Sequence, residues 1–166
     1  MGMAITSVSA LWFLPFAIPI SIWVAWSDMK FMKIPNMAVL ALLTVFMIVG
    51  LIALPLTEYP WRLLQLVVVL FAGFLLSAFG LIGAGDAKFA AAMAPFIAYP
   101  DALLLGYLLI AVIAAALVTH RLFQRSKTFR RLTPDWKSWE NKDFPMGYAL
   151  GGTLVIYLAL GTIYGA

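Results

Sequence analysis

The chain has 166 residues, 64% of them hydrophobic and 11% charged, with a formal net charge of +4. A soluble domain carries about 25% charged residues, so this composition excludes a water-facing globule and predicts an all-α integral membrane protein with a single polytopic domain over residues 1–166. There is no cysteine, which excludes disulfides, thiolate zinc sites and a cysteine nucleophile together. The positive balance reads as the Lys and Arg bias of cytoplasmic loops, not as affinity for nucleic acid.

The residues before Ser9 include no Lys or Arg. A cleaved signal peptide normally opens on a basic region, so the first apolar run, about 9–27, is expected to be retained. It contains Pro15 and Pro19, which should bend it, and Trp23 and Trp26 near its end suit an interfacial aromatic belt. Asp28 closes the run, and Ile34-Pro35-Asn36 follows, with Asn36 expected as a helix N-cap. A second span is expected over 37–56, long enough for a hydrocarbon core of about 30 Å. The polar turn 57–60 leads to Trp61 and Arg62, then to a third span over 63–82.

Gly83-Ala84-Gly85-Asp86-Ala87-Lys88 then interrupts the hydrocarbon. The fourth run, 88–99, contains Pro95 and is short for a span unless the glycine-rich segment itself lies within the membrane. A fifth span is expected over 102–119. A loop follows, with basic residues and Phe129, Leu132, Trp136 and Trp139 between 121 and 144, and a sixth span over 146–164 ends the series. The loop reads as an interfacial segment held by anionic membrane lipid and Trp anchors.

Six transmembrane helices put both termini on one side. Lys30, Lys33, Lys88, Arg121, Arg125, Lys127, Arg130, Arg131, Lys137 and Lys142 fall on one face, and Arg62 stands alone on the other. The basic face is the cytoplasmic one, so the termini are extracytoplasmic. Asp28 and Asp86 share the cytoplasmic rim.

A carboxylate at membrane depth costs roughly 2.5–3.5 kcal/mol on insertion scales, which makes each of these acids a candidate functional group. Two carboxyls sharing one proton activate water for attack on a peptide bond, one acting as base while the other donates to the carbonyl oxygen. Gly83 and Gly85 would allow unusual φ and a close backbone approach beside Asp86. Blander readings stand beside these. Asp28 could be a solvated helix-end charge, the glycines packing residues, Lys88 a positive-inside anchor, His120 an interfacial cap, and Asp101 a solvated turn residue after Pro100. No metal site or cofactor is expected, since the methionines read as packing and the single histidine has no acid partner placed by sequence.

Gly83–Lys88 fits the GxGDxK signature, and the chain resembles the type IV prepilin peptidases, a family of intramembrane aspartyl proteases. Asp28 with Pro35-Asn36 downstream is similar to the family's first catalytic motif, and Pro145-Met146-Gly147 to its late Pro-x-Gly element. The resemblance implies Asp28 and Asp86 as catalytic residues, with Gly83, Gly85, Lys88, Pro35, Asn36, Pro145 and Gly147 in support. It implies an aspartic endopeptidase of the bacterial inner membrane that removes the short leader of a prepilin at the cytoplasmic face, for pilus assembly. The partner implied is a prepilin helix within the membrane. Larger members add a cysteine-bound zinc segment and an N-methyltransferase. Lacking cysteine, this chain resembles the short, peptidase-only subgroup of tight-adherence (Flp) pilus systems. The alternative readings are a small proton- or cation-coupled transporter using the two acids as its relay, and a non-enzymatic scaffold of a secretion machine.

Overall fold

The computed structural model describes residues 2–141 and 143–166. Met1 and Lys142, the latter counted among the basic residues above, lie outside the described residues. The chain forms α1 (Ser7–Phe31), α2 (Asn36–Ala53), α3 (Tyr59–Ala78) and α4 (Ala84–Met93). After two 3-10 turns, Ala94–Phe96 and Tyr99–Asp101, it continues as α5 (Ala102–Arg125), α6 (Lys127–Leu132) and α7 (Met146–Tyr164). A further 3-10 turn, Lys137–Trp139, lies between α6 and α7.

Helix α1 is the spine. Thr6 caps it by accepting from the Ser9 backbone N–H at 3.1 Å, and it runs unbroken through Pro15 and Pro19. Its buried residues Ala10, Phe13, Ala17, Ser21, Val24 and Asp28 recur at three- and four-residue steps, a single stripe. Asp28 is therefore the last member of the packing face, not a charge turned to water. Helix α7 lies antiparallel along that stripe. A Cβ on Gly151 would come within 3.0 Å of the Ser21 carbonyl oxygen, and one on Gly161 within 3.0 Å of the Ala10 Cβ. Small residues thus set how closely the two backbones approach.

Among the described residues, five helices are long and apolar enough to cross a membrane: α1, α2, α3, α7, and α5 taken with the turn that precedes it. Six such helices were expected, and the fourth run is the exception. Its helix, α4, has ten residues, about 15 Å at 1.5 Å per residue, and it starts at Ala84, inside the glycine-rich segment. Pro95 then breaks it into a 3-10 turn and an extended step at Ile97–Ala98. The segment is held by Phe96, packed edge-on against Phe13 at 4.8 Å and Phe46 at 5.5 Å between ring centroids.

Both termini meet at one end of the bundle, where the Met3 N–H donates to the Tyr164 carbonyl at 2.9 Å. Asp101 sits there too. Its carboxylate accepts from the Ala4 N–H at 2.8 Å, the Ile5 N–H at 3.0 Å and the Tyr157 hydroxyl at 2.8 Å. It is buried, at 6% exposure, which corrects its reading as a solvated turn residue. Arg62 at the same end is also buried and pairs with Glu58 at 3.2 Å. Helices α3 and α5 bury little, and Phe71, Phe74 and Ile110 are among the large apolar side chains they expose, as lipid-facing helices do.

Candidate active site

At the opposite end from the termini, α1, α2, α4 and α7 enclose a cleft of about 730 Å³. Asp28 and Asp86 both line it. Lys33, Asn36, Lys88 and Phe144 form part of its rim.

Asp28 is buried, at 5% exposure, and its Oδ2 accepts a 2.6 Å hydrogen bond from the Gly147 backbone N–H. Gly147 is the second residue of α7, whose first N–H groups have no partner within the helix. The carboxylate thus occupies the N-terminus of α7, where the helix dipole stabilises an anion by roughly 0.3–2 kcal/mol. Buried Pro145 caps that helix with its backbone, which accounts for the Pro-x-Gly element: the proline starts the helix and the glycine makes room for the acid. A Cβ at Gly147 would sit 3.0 Å from Asp28 Oδ2 and 3.0 Å from Ile34 Cδ1.

Asp86 is the third residue of α4 and half-buried. Its carboxyl folds back onto Gly83, the residue that caps the helix, the reach of a capping-box acid. A Cβ on Gly83 would lie 2.6 Å from Asp86 Oδ2.

The supporting residues divide. Lys88 is exposed and reaches Asn36 Oδ1 at 3.4 Å, a long contact tying α4 to α2. Asn36 is not the N-cap expected of it; Pro35 takes that position, and Asn36 begins the helix with its side chain free for Lys88. Gly83 and Gly85 have no unusual φ, contrary to expectation. The positive φ of 72° belongs to Gly80, which ends α3 in open space. Close approach beside the cleft is made instead by Gly73 of α3, where a Cβ would lie 3.0 Å from that of Ala87.

Ile34 carried no role in the sequence reading. Its side chain would touch a Cβ at Gly85 at 3.4 Å as well as one at Gly147, so it wedges between the segments that carry the two acids. Met32, at φ 54°, turns the chain after Asp28, and Ser27 Oγ donates to the Lys33 carbonyl at 2.9 Å to close that turn. Only the Ile-Pro-Asn sequence itself could have signalled this wedge.

His120 is not an interfacial cap. It is buried, with its ring stacked on Trp139 at 5.1 Å and edge-on to Phe144 at 5.9 Å. Trp139 is likewise buried, and Trp136 stacks on it at 5.6 Å. These tryptophans fold the loop onto the end of α5. Among the described residues, no cluster of three or more His, Cys, Asp or Glu side chains could hold a metal.

A family model described as the type IV leader peptidase family matches residues 15–120, a stretch that contains both acids. No curated protein and no solved structure matches the chain.

Proposed function

The chain belongs to the type IV leader peptidase family, and on that premise we propose that it is an aspartic endopeptidase with Asp28 and Asp86 as its catalytic pair. The observation that carries the reading is their convergence. Two acids 58 positions apart in sequence line one cleft, each beside the N-terminal turn of a helix. The ionised carboxyl takes a proton from water, and the water oxygen bonds to the peptide carbonyl carbon. The protonated carboxyl gives its proton to the carbonyl oxygen. Collapse of the tetrahedral intermediate breaks the C–N bond and the amine leaves with a proton. The two protons belong to the pair and not to either residue.

The substrate we propose is the leader of a prepilin, cut where its apolar helix begins, in service of pilus assembly. The acids share their end of the bundle with Lys30, Lys33, Lys88, Arg121 and Arg125, whereas Arg62 lies at the end with the termini. This polarity supports a cytoplasmic cleft and extracytoplasmic termini in the inner membrane of a bacterium. The segment 84–101 runs from Asp86 at one end to Asp101 at the other and would make the sixth crossing. No methyltransferase activity is proposed for this chain. A peptidase family leaves the transporter reading without support.

Co-expression with a prepilin tests the assignment. The substrate should shorten by its leader at a single bond, seen by mass spectrometry of the product. An unprocessed prepilin beside a normally accumulated enzyme would refute it.

A further inference from the structure

Five of the ten residues of α4 are buried: Ala87, Phe89, Ala91, Ala92 and Met93. Of the others, Ala84 and Lys88 are exposed and Gly85, Asp86 and Ala90 are partly open, as is Ala94, which follows as the C-cap. Asp86, Ala90 and Ala94 are spaced four apart, so they form one stripe on one face. Ala90 lines the aspartate cleft. Ala94 lines a second cavity, of about 840 Å³, that opens between α3 and α5 towards the end with the termini. The two cavities thus come within one helical turn of each other. The cause is the shortness of α4, which leaves the outer half of the bundle floored only by a 3-10 turn and the extended step.

The walls of the second cavity include Val68 and Val69 of α3 and Leu105 of α5. At its far end stands Arg62, whose side chain is 7% exposed and whose Nη1 has no hydrogen-bond partner among the described residues. Gln65 Oε1 beside it is also unpartnered among them. A buried guanidinium left short of a partner costs free energy, and both groups border the cavity.

We infer that this trough, from Asp86 past Ala90 and Ala94 to Arg62, is the seat of the substrate's apolar segment beyond the cut bond, held there as a helix. The inference rests on the peptidase reading. A polypeptide in hydrocarbon must satisfy its backbone internally, so the occupant is helical. An alanine floor at four-residue spacing lets a helix backbone approach closely, which an acyl chain does not require. Arg62 and Gln65 then meet polar groups of the occupant at its far end. At 1.5 Å per residue, substrate positions about 8 after the cut bond lie over Ala94, and positions about 12–14 lie near Arg62.

The chain has no cysteine, so single thiols report cleanly. Val68→Cys, on the exposed wall, should cross-link through a short bis-maleimide to a prepilin carrying one cysteine 8–14 residues after the cut bond, and not to one with its cysteine in the leader. The assay uses the full-length enzyme in phosphatidylcholine–phosphatidylglycerol vesicles, with an Asp86→Asn background to hold the substrate uncut. Ala94→Phe, which fills the trough away from the acids, should raise KM for the prepilin at least tenfold with kcat within twofold. Cross-linking with no preference for positions 8–14, or capture only of a maleimide-bearing phospholipid, would overturn the inference. So would an Ala94→Phe enzyme with unchanged KM. If Ala94→Phe fails to accumulate, the cross-linking pattern decides alone. Failure of the parent enzyme to cut any prepilin would instead overturn the peptidase reading, a separate outcome.

Discussion

Asp28 Oδ2 lies 2.6 Å from the backbone nitrogen of Gly147, although 119 positions separate them. The contact joins the end of the first helix to the start of the last, and the missing Cβ of Gly147 makes it possible. Adding that carbon pushes against both Asp28 and Ile34 at 3.0 Å. Gly147→Ala should therefore lower cleavage on the order of 10–100-fold, since an ångström of misplacement can cost that much. Gly152→Ala, five residues further along α7, meets only Val112 at an ordinary 3.4 Å and should cleave within twofold of the parent. Equal activities for the two variants, measured as initial rates per folded enzyme, would break the positioning argument.

The glycines beside Asp86 should rank in the same way. Gly83→Ala places a carbon 2.6 Å from Asp86 Oδ2, whereas Gly85→Ala meets Ile34 at 3.4 Å. The first should cost roughly tenfold or more in rate and the second less than threefold. Gly85→Val adds two methyls towards Ile34 and should fall between them. Rates in the reverse order would show that the Asp86 carboxyl is not held against Gly83 during turnover.

Replacing either acid removes the shared proton. Asp28→Asn and Asp86→Asn should each reduce cleavage by about 10³-fold or more, at the upper range of general acid–base contributions, while the proteins insert and accumulate normally. The measurement is prepilin shortening on gels beside immunoblots of the enzyme. Substantial processing by either variant would eliminate the paired-carboxyl mechanism.

The acids were legible because charge stands out in hydrocarbon. Asp86 and Lys88 break an apolar run, and their spacing with Gly83 and Gly85 is a short local pattern. The order of the spans was legible for the same reason, since apolar length is a local property. What failed were features set by distant chain. Asp101 looks like any Pro-Asp turn until Ala4, Ile5 and Tyr157 close over it. His120 and Trp139 look interfacial until the loop folds them together. The fourth run was counted as a span although it is short and contains Pro95, and its helix, α4, ends after ten residues. The glycines of α7 were legible only at Gly147, through its motif; Gly151 and Gly161 face α1 in a register that only the packed pair reveals.

The far end of the bundle offers the last test, because it separates holding the fold from cutting the substrate. Asp101 satisfies two backbone N–H groups of the N-terminal segment and the Tyr157 hydroxyl. The same hydroxyl accepts from the Ala98 N–H at 3.0 Å, so one carboxylate ties together the start of α1, the segment after α4, and α7. Asp101→Ala strands those donors in a buried setting. Each stranded group costs on the order of 1–3 kcal/mol, so the variant should lose several degrees or more of melting temperature in detergent. The aspartate cleft lies at the opposite end and shares no residue with this cluster. Cleavage per folded enzyme should therefore stay within about twofold of the parent at a temperature well below the transition. Asp101→Asn, which retains one acceptor oxygen, should fall between the two in stability. A large loss of turnover at unchanged stability would place Asp101 in the chemistry and not in the frame.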